Sequence, residues 1–153
     1  MIKLDIQAIG GEAVFIRHDV SNEEDWKKVA KETIETFDKV DVLFNNAGIY
    51  IIKPVAEIKL EEWNRLMSIN VTGVFLGMKH IMPLMAKQNK GSVINTSSIA
   101  GLIGAPGHVL YGASKGAVRT MTKDAATRVC FKRGTCKLDP SGIYRYRDGG
   151  LCF

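Results

Sequence analysis

Val42-Leu43-Phe44-Asn45-Asn46-Ala47-Gly48 decides the fold, because a short apolar run here passes directly into a polar turn. Residues 41–44 predict a short buried strand. Two further apolar runs, residues 13–17 and 93–95, also read as strands, and Asp19 and Ser98 follow them. Open parallel sheets bind their ligands just beyond the carboxyl ends of their strands, where Asp19, Asn46 and Ser98 would lie. The pattern predicts an α/β fold with a ligand site at that edge.

Helical patterns separate these strands. Ser21-Asn22-Glu23-Glu24 has the spacing of a capping box, with Ser21 as N-cap, and residues 22–37 then repeat apolar side chains with helical period. Residues 60–86 predict a long helix that is interrupted near Asn70 and again at Pro83. Residues 113–127 predict a third helix, and residues 1–11 read as the end of a helix that precedes the first strand.

A tyrosine and a lysine four residues apart, in Tyr111-Gly112-Ala113-Ser114-Lys115, point to proton transfer. On a helix this spacing places the phenol and the ammonium on one face. A nearby cation lowers the pKa of a phenol, whose ordinary value of about 10 makes it a poor acid or base at neutral pH. Tyr111 could then act as a general acid or base, and the Ser98 hydroxyl could hydrogen-bond a carbonyl or alcohol oxygen.

A tyrosine–lysine pair alone is common on ordinary helices, but here it follows three further motifs in fixed order. These are Asn45-Asn46-Ala47-Gly48, Ile69-Asn70-Val71-Thr72-Gly73 and the serine segment that ends at Ser98. Together they resemble the short-chain dehydrogenase/reductase family in its classical type. The resemblance covers residues 10–127 and implies a partial Rossmann-like, doubly wound parallel sheet with helices on both faces.

The resemblance also implies a catalytic tetrad of Asn70, Ser98, Tyr111 and Lys115. Tyr111 would exchange the proton, Lys115 would lower its pKa and bind the nicotinamide ribose, and Ser98 would orient the substrate oxygen. Asn70 would hold a helix kink and a water. The implied reaction is hydride transfer between NAD or NADP and a secondary alcohol or ketone.

Further contacts to cofactor and substrate follow from the same resemblance. Asp19 and Val20 correspond to the pair that contacts the adenine, and Asn46 to the asparagine beside the ribose. His18 could also lie near the adenine. The turn-rich segment between Ser98 and Tyr111 suits a loop lining a substrate pocket, where three side chains could touch a substrate: Ile103, Ala105 and His108.

The sequence departs from the family pattern on both sides of this region. It contains no Thr-Gly-x-x-x-Gly-x-Gly phosphate turn, and residues 128–153 match no part of the family. We therefore divide the chain into a partial dinucleotide-binding domain, residues 1–127, and an unaligned basic tail, residues 128–153. The alternative to an active oxidoreductase is an inactive truncated fragment that acts, if at all, through oligomerisation. Homo-oligomers are also what the family resemblance predicts.

Composition narrows the possible partners. The 153 residues are 46% hydrophobic and 24% charged, as in soluble globular chains, and residues 128–153 carry +4 of the net charge of +5. The tail could bind nucleic acid through its arginines and tyrosines, but we expect a solvated extension. Its three cysteines match no zinc or disulfide pattern. No signal peptide and no apolar run of about 20 residues is evident, so we expect a cytoplasmic protein without a membrane partner.

Overall fold

The computed structural model describes residues 2–130, 135–138 and 144–147. Its elements in chain order are α1 (Ile2–Ala8), α2 (Glu23–Phe37), β1 (Val42–Asn45), α3 (Leu60–Met67), α4 (Gly73–Gln88), β2 (Ser92–Asn95), α5 (Val109–Cys130), β3 (Thr135–Leu138) and β4 (Tyr144–Arg147). A π-helical turn, Ser68–Thr72, joins α3 to α4. Short 3₁₀ turns span Val55–Glu57 and Ile99–Gly101.

Strands β1 and β2 form a parallel pair in which Asn45 lies opposite Asn95. The α/β class and the parallel sheet predicted from the sequence are therefore confirmed. Strands β3 and β4 form a separate antiparallel pair. Side chains in the tail, including those on which the nucleic-acid and cysteine predictions depend, lie outside the described residues.

The strand predicted at residues 13–17 does not form: this segment has no regular secondary structure. A strand is stabilised by hydrogen bonds to a neighbour, and in the described part of the chain β1 and β2 pair only with each other. Val14 and Phe15 are correspondingly exposed. The helix expected before this segment is present as α1.

The start of α2 differs from the prediction by one residue. Asn22, not Ser21, is the N-cap, and its Oδ1 accepts hydrogen bonds from the backbone N–H groups of Glu24 and Asp25 at 2.8 Å and 3.2 Å. Ser21 instead donates its own N–H and hydroxyl to the Asp19 carboxylate. Both residue types are good caps, so their order alone did not decide between them.

The long helix is interrupted near Asn70, as predicted, but not at Pro83. The interruption is the π-helical turn, a widened turn often found at functional sites. Pro83 lies inside a continuous α4. Proline removes one helical hydrogen bond, but Ile81 and Met85 on either side are buried in the core, and their packing holds the helix together.

Helix α4 is the centre of the hydrophobic core. One cluster packs it against α2 and β1 through Trp26, Leu43 and Leu76, and a second packs it against α5 through Val74, Met78 and Val118. The helical segment Leu60–Gln88 is long and apolar enough to cross a membrane by length and composition. Charged and polar residues interrupt this segment, so it contains no continuous apolar run of about 20 residues. Because 44% of its most apolar window is buried inside the molecule, we interpret it as a core helix.

Candidate active site

The site begins at the carboxyl ends of β1 and β2, where buried polar side chains join the sheet to α5. Asn45 Nδ2 donates to Asn95 Oδ1 at 2.8 Å, and Asn95 Nδ2 donates to Thr122 Oγ1 at 2.9 Å. Asn95 and Thr122 are almost fully buried. A buried polar group is costly unless it is hydrogen-bonded, so these bonds fix the position of α5 relative to the sheet. Sequence analysis did not identify this network.

Asn70 lies in the π-helical turn and is 1% exposed. Its Oδ1 accepts the Ile49 N–H at 2.8 Å, and its Nδ2 donates to the Ile49 carbonyl at 2.9 Å and to Ser114 Oγ at 3.2 Å. Ser114 Oγ in turn donates to the Tyr111 carbonyl at 2.7 Å. Asn70 thus ties the loop after β1 to the turn of α5 that carries Tyr111.

Lys115 is 5% exposed, and its Nζ donates to the Thr96 carbonyl at 2.7 Å. The same Nζ lies 5.6 Å from the centroid of the Tyr111 ring, so the predicted i,i+4 pairing on one helix face is present. Burial lowers the pKa of the Lys115 ammonium, because water no longer solvates its charge fully.

Gly48 lies directly against this cluster. A Cβ at Gly48 would lie 3.3 Å from Asn70 Oδ1 and 3.8 Å from Lys115 Nζ. The absence of a side chain therefore allows the backbone after β1 to approach Asn70 and Lys115 closely. This explains in physical terms why the polar turn ends in glycine.

Ser98 and Tyr111 line one pocket of about 460 Å³. Ser98 Oγ accepts the Ala100 N–H at 3.2 Å, which leaves its hydroxyl hydrogen available to a ligand oxygen. Also lining the pocket are the predicted substrate-contacting residues Ile103, Ala105 and His108, together with Tyr50, Ile99 and Ala100. Tyr50 was not predicted from the sequence, although it follows the polar turn after β1.

Two of the three residues assigned to the adenine or to the cofactor ribose lie together. Val20 and Asn46 line a second cavity of about 130 Å³ together with His18 and Trp26. The Asp19 side chain is not among the lining residues, because its carboxylate is hydrogen-bonded to Ser21. These hydrogen bonds lower the pKa of Asp19. The structure therefore separates Asp19 from the cavity that Val20 and Asn46 share.

His18 supplies the one enclosed polar atom without a hydrogen-bond partner in the described part of the chain, its Nε2. Its ring meets Trp26 edge-on at a centroid distance of 4.4 Å. Burial lowers the pKa of the imidazole, an effect that Asp25 and Asp19 oppose. A neutral ring with an unused nitrogen beside a cavity is compatible with a heteroaromatic ligand.

His80 and His108 both have structural partners. His80 Nε2 contacts Glu23 Oε1 at 3.0 Å, and Lys79 contacts the same carboxylate. His108 is hydrogen-bonded to Tyr50 and to the Pro106 carbonyl. His80 is thus a structural residue, whereas His108 also lines the Tyr111 pocket.

Known proteins share this sequence and architecture. The family model described as short chain dehydrogenase matches residues 2–132, which includes the first five residues of the tail that was expected to match no part of the family. The chain is 47% identical over 122 residues to cyclopentanol dehydrogenase of Comamonas testosteroni, covering 80% of this chain and 49% of the relative. It is 44% identical over 131 residues to NADP-dependent (R)-specific alcohol dehydrogenase of Lentilactobacillus kefiri, covering 82% and 51%.

Solved structures agree with these relatives. NAD⁺-bound xylitol dehydrogenase superposes with a TM-score of 0.81 at 36% identity, over 84% of this chain and 50% of that one. ElxO with NADP bound superposes with a TM-score of 0.76 at 36% identity, over 78% and 48%. The chain spans about half the length of the curated relatives it matches. The family model and these relatives together show that the chain belongs to the short-chain dehydrogenase family.

Proposed function

We propose that the site interconverts a secondary alcohol and a ketone with NAD or NADP. The observation that carries this proposal is the position of the buried Lys115 Nζ, 5.6 Å from the centre of the Tyr111 ring, beside a pocket that Tyr111 shares with Ser98. An ammonium beside the Tyr111 ring and a pocket that Tyr111 shares with Ser98 support Tyr111 as the acid or base of the reaction.

The proposed roles follow from the hydrogen-bond partners of each group. Tyr111 accepts the hydroxyl proton of an alcohol or returns it to a ketone oxygen. Ser98 donates its free hydroxyl hydrogen to the same oxygen and orients it. Lys115 uses one donor on Thr96 and has two further N–H groups to stabilise the phenolate and to bind ribose hydroxyls. Asn70 acts as a positioning residue, since it fixes Ser114 and the loop at Ile49.

The residues present fit a dinucleotide at two points. On the nicotinamide side, the Lys115 ammonium has N–H groups beyond the one that it donates to the Thr96 carbonyl, and on the adenine side the cavity holds Val20, Asn46 and the unpartnered His18 Nε2. When bound, NAD or NADP supplies the hydride acceptor or donor. Relatives whose names or structures include NAD and NADP support both cofactors equally.

Replacing Tyr111 with Phe tests this proposal directly. The change keeps the ring and removes the acid–base group, so we expect turnover of a secondary alcohol to fall by at least about 100-fold. Absorbance of the reduced nicotinamide measures the rate, and a thermal melt verifies folding. Val55→Ala, at a 67% exposed position outside both cavities, is the control. Equal rates for Tyr111→Phe and the control would remove Tyr111 from its role.

A second candidate is a non-catalytic role through association with another copy of the chain. One observation favours it: Val42 and Phe44, on one face of β1, are 55% and 58% exposed, and such apolar surface favours association. Titration with NADH and NADPH, followed by cofactor fluorescence and thermal midpoint, separates the two candidates. Saturable binding supports the oxidoreductase, whereas a dimer in sedimentation analysis that binds neither cofactor supports association alone.

A further inference from the structure

We propose that Tyr50 and His108 form a specificity-determining pair that restricts the Tyr111 pocket to compact, uncharged secondary alcohols. Tyr50 Oη lies 2.8 Å from His108 Nε2, although the two residues are 58 positions apart. Both side chains line the pocket that contains Ser98 and Tyr111. The inference rests on the proposed function of this site and specifies its substrate class.

The direction of the hydrogen bond follows from the other side of the imidazole. His108 Nδ1 lies 2.8 Å from the Pro106 carbonyl, which can only accept a hydrogen bond. Nδ1 therefore carries the proton, and in the neutral ring Nε2 accepts the Tyr50 hydroxyl hydrogen. The Tyr50 side chain is thereby held by its far end, even though it is 56% exposed.

Two loops bring the pair together. The Lys53 N–H donates to the Gly107 carbonyl at 3.0 Å and joins the segment that carries Tyr50 to the segment that carries His108. Gly107 has a φ of 74°, and a Cβ there would lie 2.6 Å from Ile52 Cγ2. Only glycine accepts this conformation and this close approach without strain. These backbone contacts therefore hold Tyr50 and His108 in place as one wall of the pocket.

This wall contacts the proposed acid–base residue. The Tyr50 ring meets the Tyr111 ring edge-on, with centroids 4.6 Å apart and an interplanar angle of 87°. Such a contact is favourable and directional, so movement of Tyr50 changes the space directly beside Tyr111. A bulky substituent on the substrate would have to displace Tyr50 and break its hydrogen bond to His108.

The pocket lining indicates the substrate class. Ile99, Ala100, Ile103 and Ala105 form an apolar surface, and none of the eight described residues that line the pocket carries a formal charge when His108 is neutral. An anionic substrate would lose hydration without gaining a charged partner, which is costly. An uncharged alcohol with a small apolar ring or chain fits both the apolar lining and the absence of charged lining residues.

The test compares three alcohols with NAD and NADP: cyclopentanol as the compact probe, 1-(2-naphthyl)ethanol as the bulky one and 3-hydroxybutyrate as the anion. For the wild-type chain we expect kcat/KM for cyclopentanol to exceed that for each of the others by at least about tenfold. Tyr50→Ala should reduce the preference for cyclopentanol over the bulky alcohol by about tenfold, because it removes the wall. Tyr50→Phe, which keeps the ring contact, should reduce it by about threefold.

Val55→Ala is the control, because Val55 is 67% exposed and lines neither the Tyr111 pocket nor the cavities beside it. We expect its preference to equal that of the wild type. A preference that Tyr50→Ala and Tyr50→Phe both leave unchanged would overturn the inference, as would equal wild-type turnover of 3-hydroxybutyrate and cyclopentanol.

Saturation-transfer NMR with the same three alcohols separates this inference from the proposed function. Selective binding of cyclopentanol to the wild type, lost in Tyr50→Ala, would support the inference. If such binding were seen without any turnover, the proposed function would fail and the inference would stand. Absence of binding by every alcohol overturns the inference as well.

Discussion

The two ends of the site are held in different ways. We call Asn70, Ser114, Tyr111 and Lys115 the proton-transfer cluster, and residues 18–20 the adenine-side segment. Side chains of the cluster make hydrogen bonds to residues up to 44 positions away, and Asn70, Ser114 and Lys115 are buried. Asp19 is exposed, and its hydrogen bonds reach only Ser21, Asn22 and Asp25. Contacts within the core therefore hold the proton-transfer cluster in position, whereas only local contacts hold Asp19.

The largest effect should come from the cluster. Asn70→Ala removes one buried and two partly buried hydrogen bonds, and it leaves both backbone groups of Ile49 without their partner. We expect a loss of about 3 kcal/mol in the free energy of unfolding, measured by urea denaturation. Asn64→Ala, at an exposed position of α3, is the matched control and should lie close to the wild type. Equal losses for the two variants would contradict the assignment of Asn70 as a buried anchor.

Lys115 should give the cluster a distinctive pH dependence. Burial lowers its pKa in the folded chain, whereas the unfolded chain keeps a value of about 10.4. Between these two values the unfolded state binds more protons, so stability rises with pH. The stability of the wild type relative to Lys115→Met should therefore increase as pH rises toward about 10.4.

Urea denaturation between about pH 7 and pH 10.4 measures this difference. Lys31→Met, which removes an exposed lysine of α2, controls for the general loss of one positive charge. A difference between wild type and Lys115→Met that does not change with pH would show that burial does not act on the Lys115 charge.

Sequence patterns predicted those features of the site that depend on the spacing of residues close together in the chain. The period of residues 22–37, the strand before Asn45 and the i,i+4 spacing of Tyr111 and Lys115 are local signals, and the corresponding elements are present. The interruption at Asn70 was also predicted, and the structure shows it as a π-helical turn. Local spacing thus placed the functional groups on the correct elements.

The remaining features depend on contacts between distant segments. The hydrogen bond between Tyr50 and His108 spans 58 positions and the bond between Asn45 and Asn95 spans 50, so no local pattern predicts either. The strand expected at residues 13–17 would need a neighbouring strand with which to pair. The apolar pattern of these residues does not show whether such a neighbour is present. Pro83 was expected to interrupt the long helix, but core packing keeps α4 continuous through it.

The N-cap of α2 offers a smaller test, on the adenine side. Asn22→Ala removes the side chain that accepts the N–H groups of Glu24 and Asp25, so we expect a loss of about 1 kcal/mol in the free energy of unfolding. Ser21→Ala leaves that cap in place and should cost less. Thermal and urea denaturation of both variants measure the difference. A larger loss for Ser21→Ala would restore the capping box predicted from the sequence.

The smallest effect should come from Asp19. Asn at this position keeps an acceptor oxygen for Ser21, so Asp19→Asn measures the effect of the negative charge alone. Hydrogen bonds from Ser21 lower the pKa of Asp19 in the folded chain. Its contribution to stability is therefore present above the unfolded value of about 3.9 and is lost as pH falls through the lowered folded value.

Urea denaturation at neutral pH and at about pH 3 should consequently show a small difference between wild type and Asp19→Asn that shrinks on acidification. The carboxylate is exposed, so solvent screens its interactions and the difference should stay well below that of Asn70→Ala. A difference as large as that of Asn70→Ala would mean that the adenine-side segment is anchored as firmly as the proton-transfer cluster. The conclusion that core contacts hold the proton-transfer cluster, whereas only local contacts hold Asp19, would then be wrong.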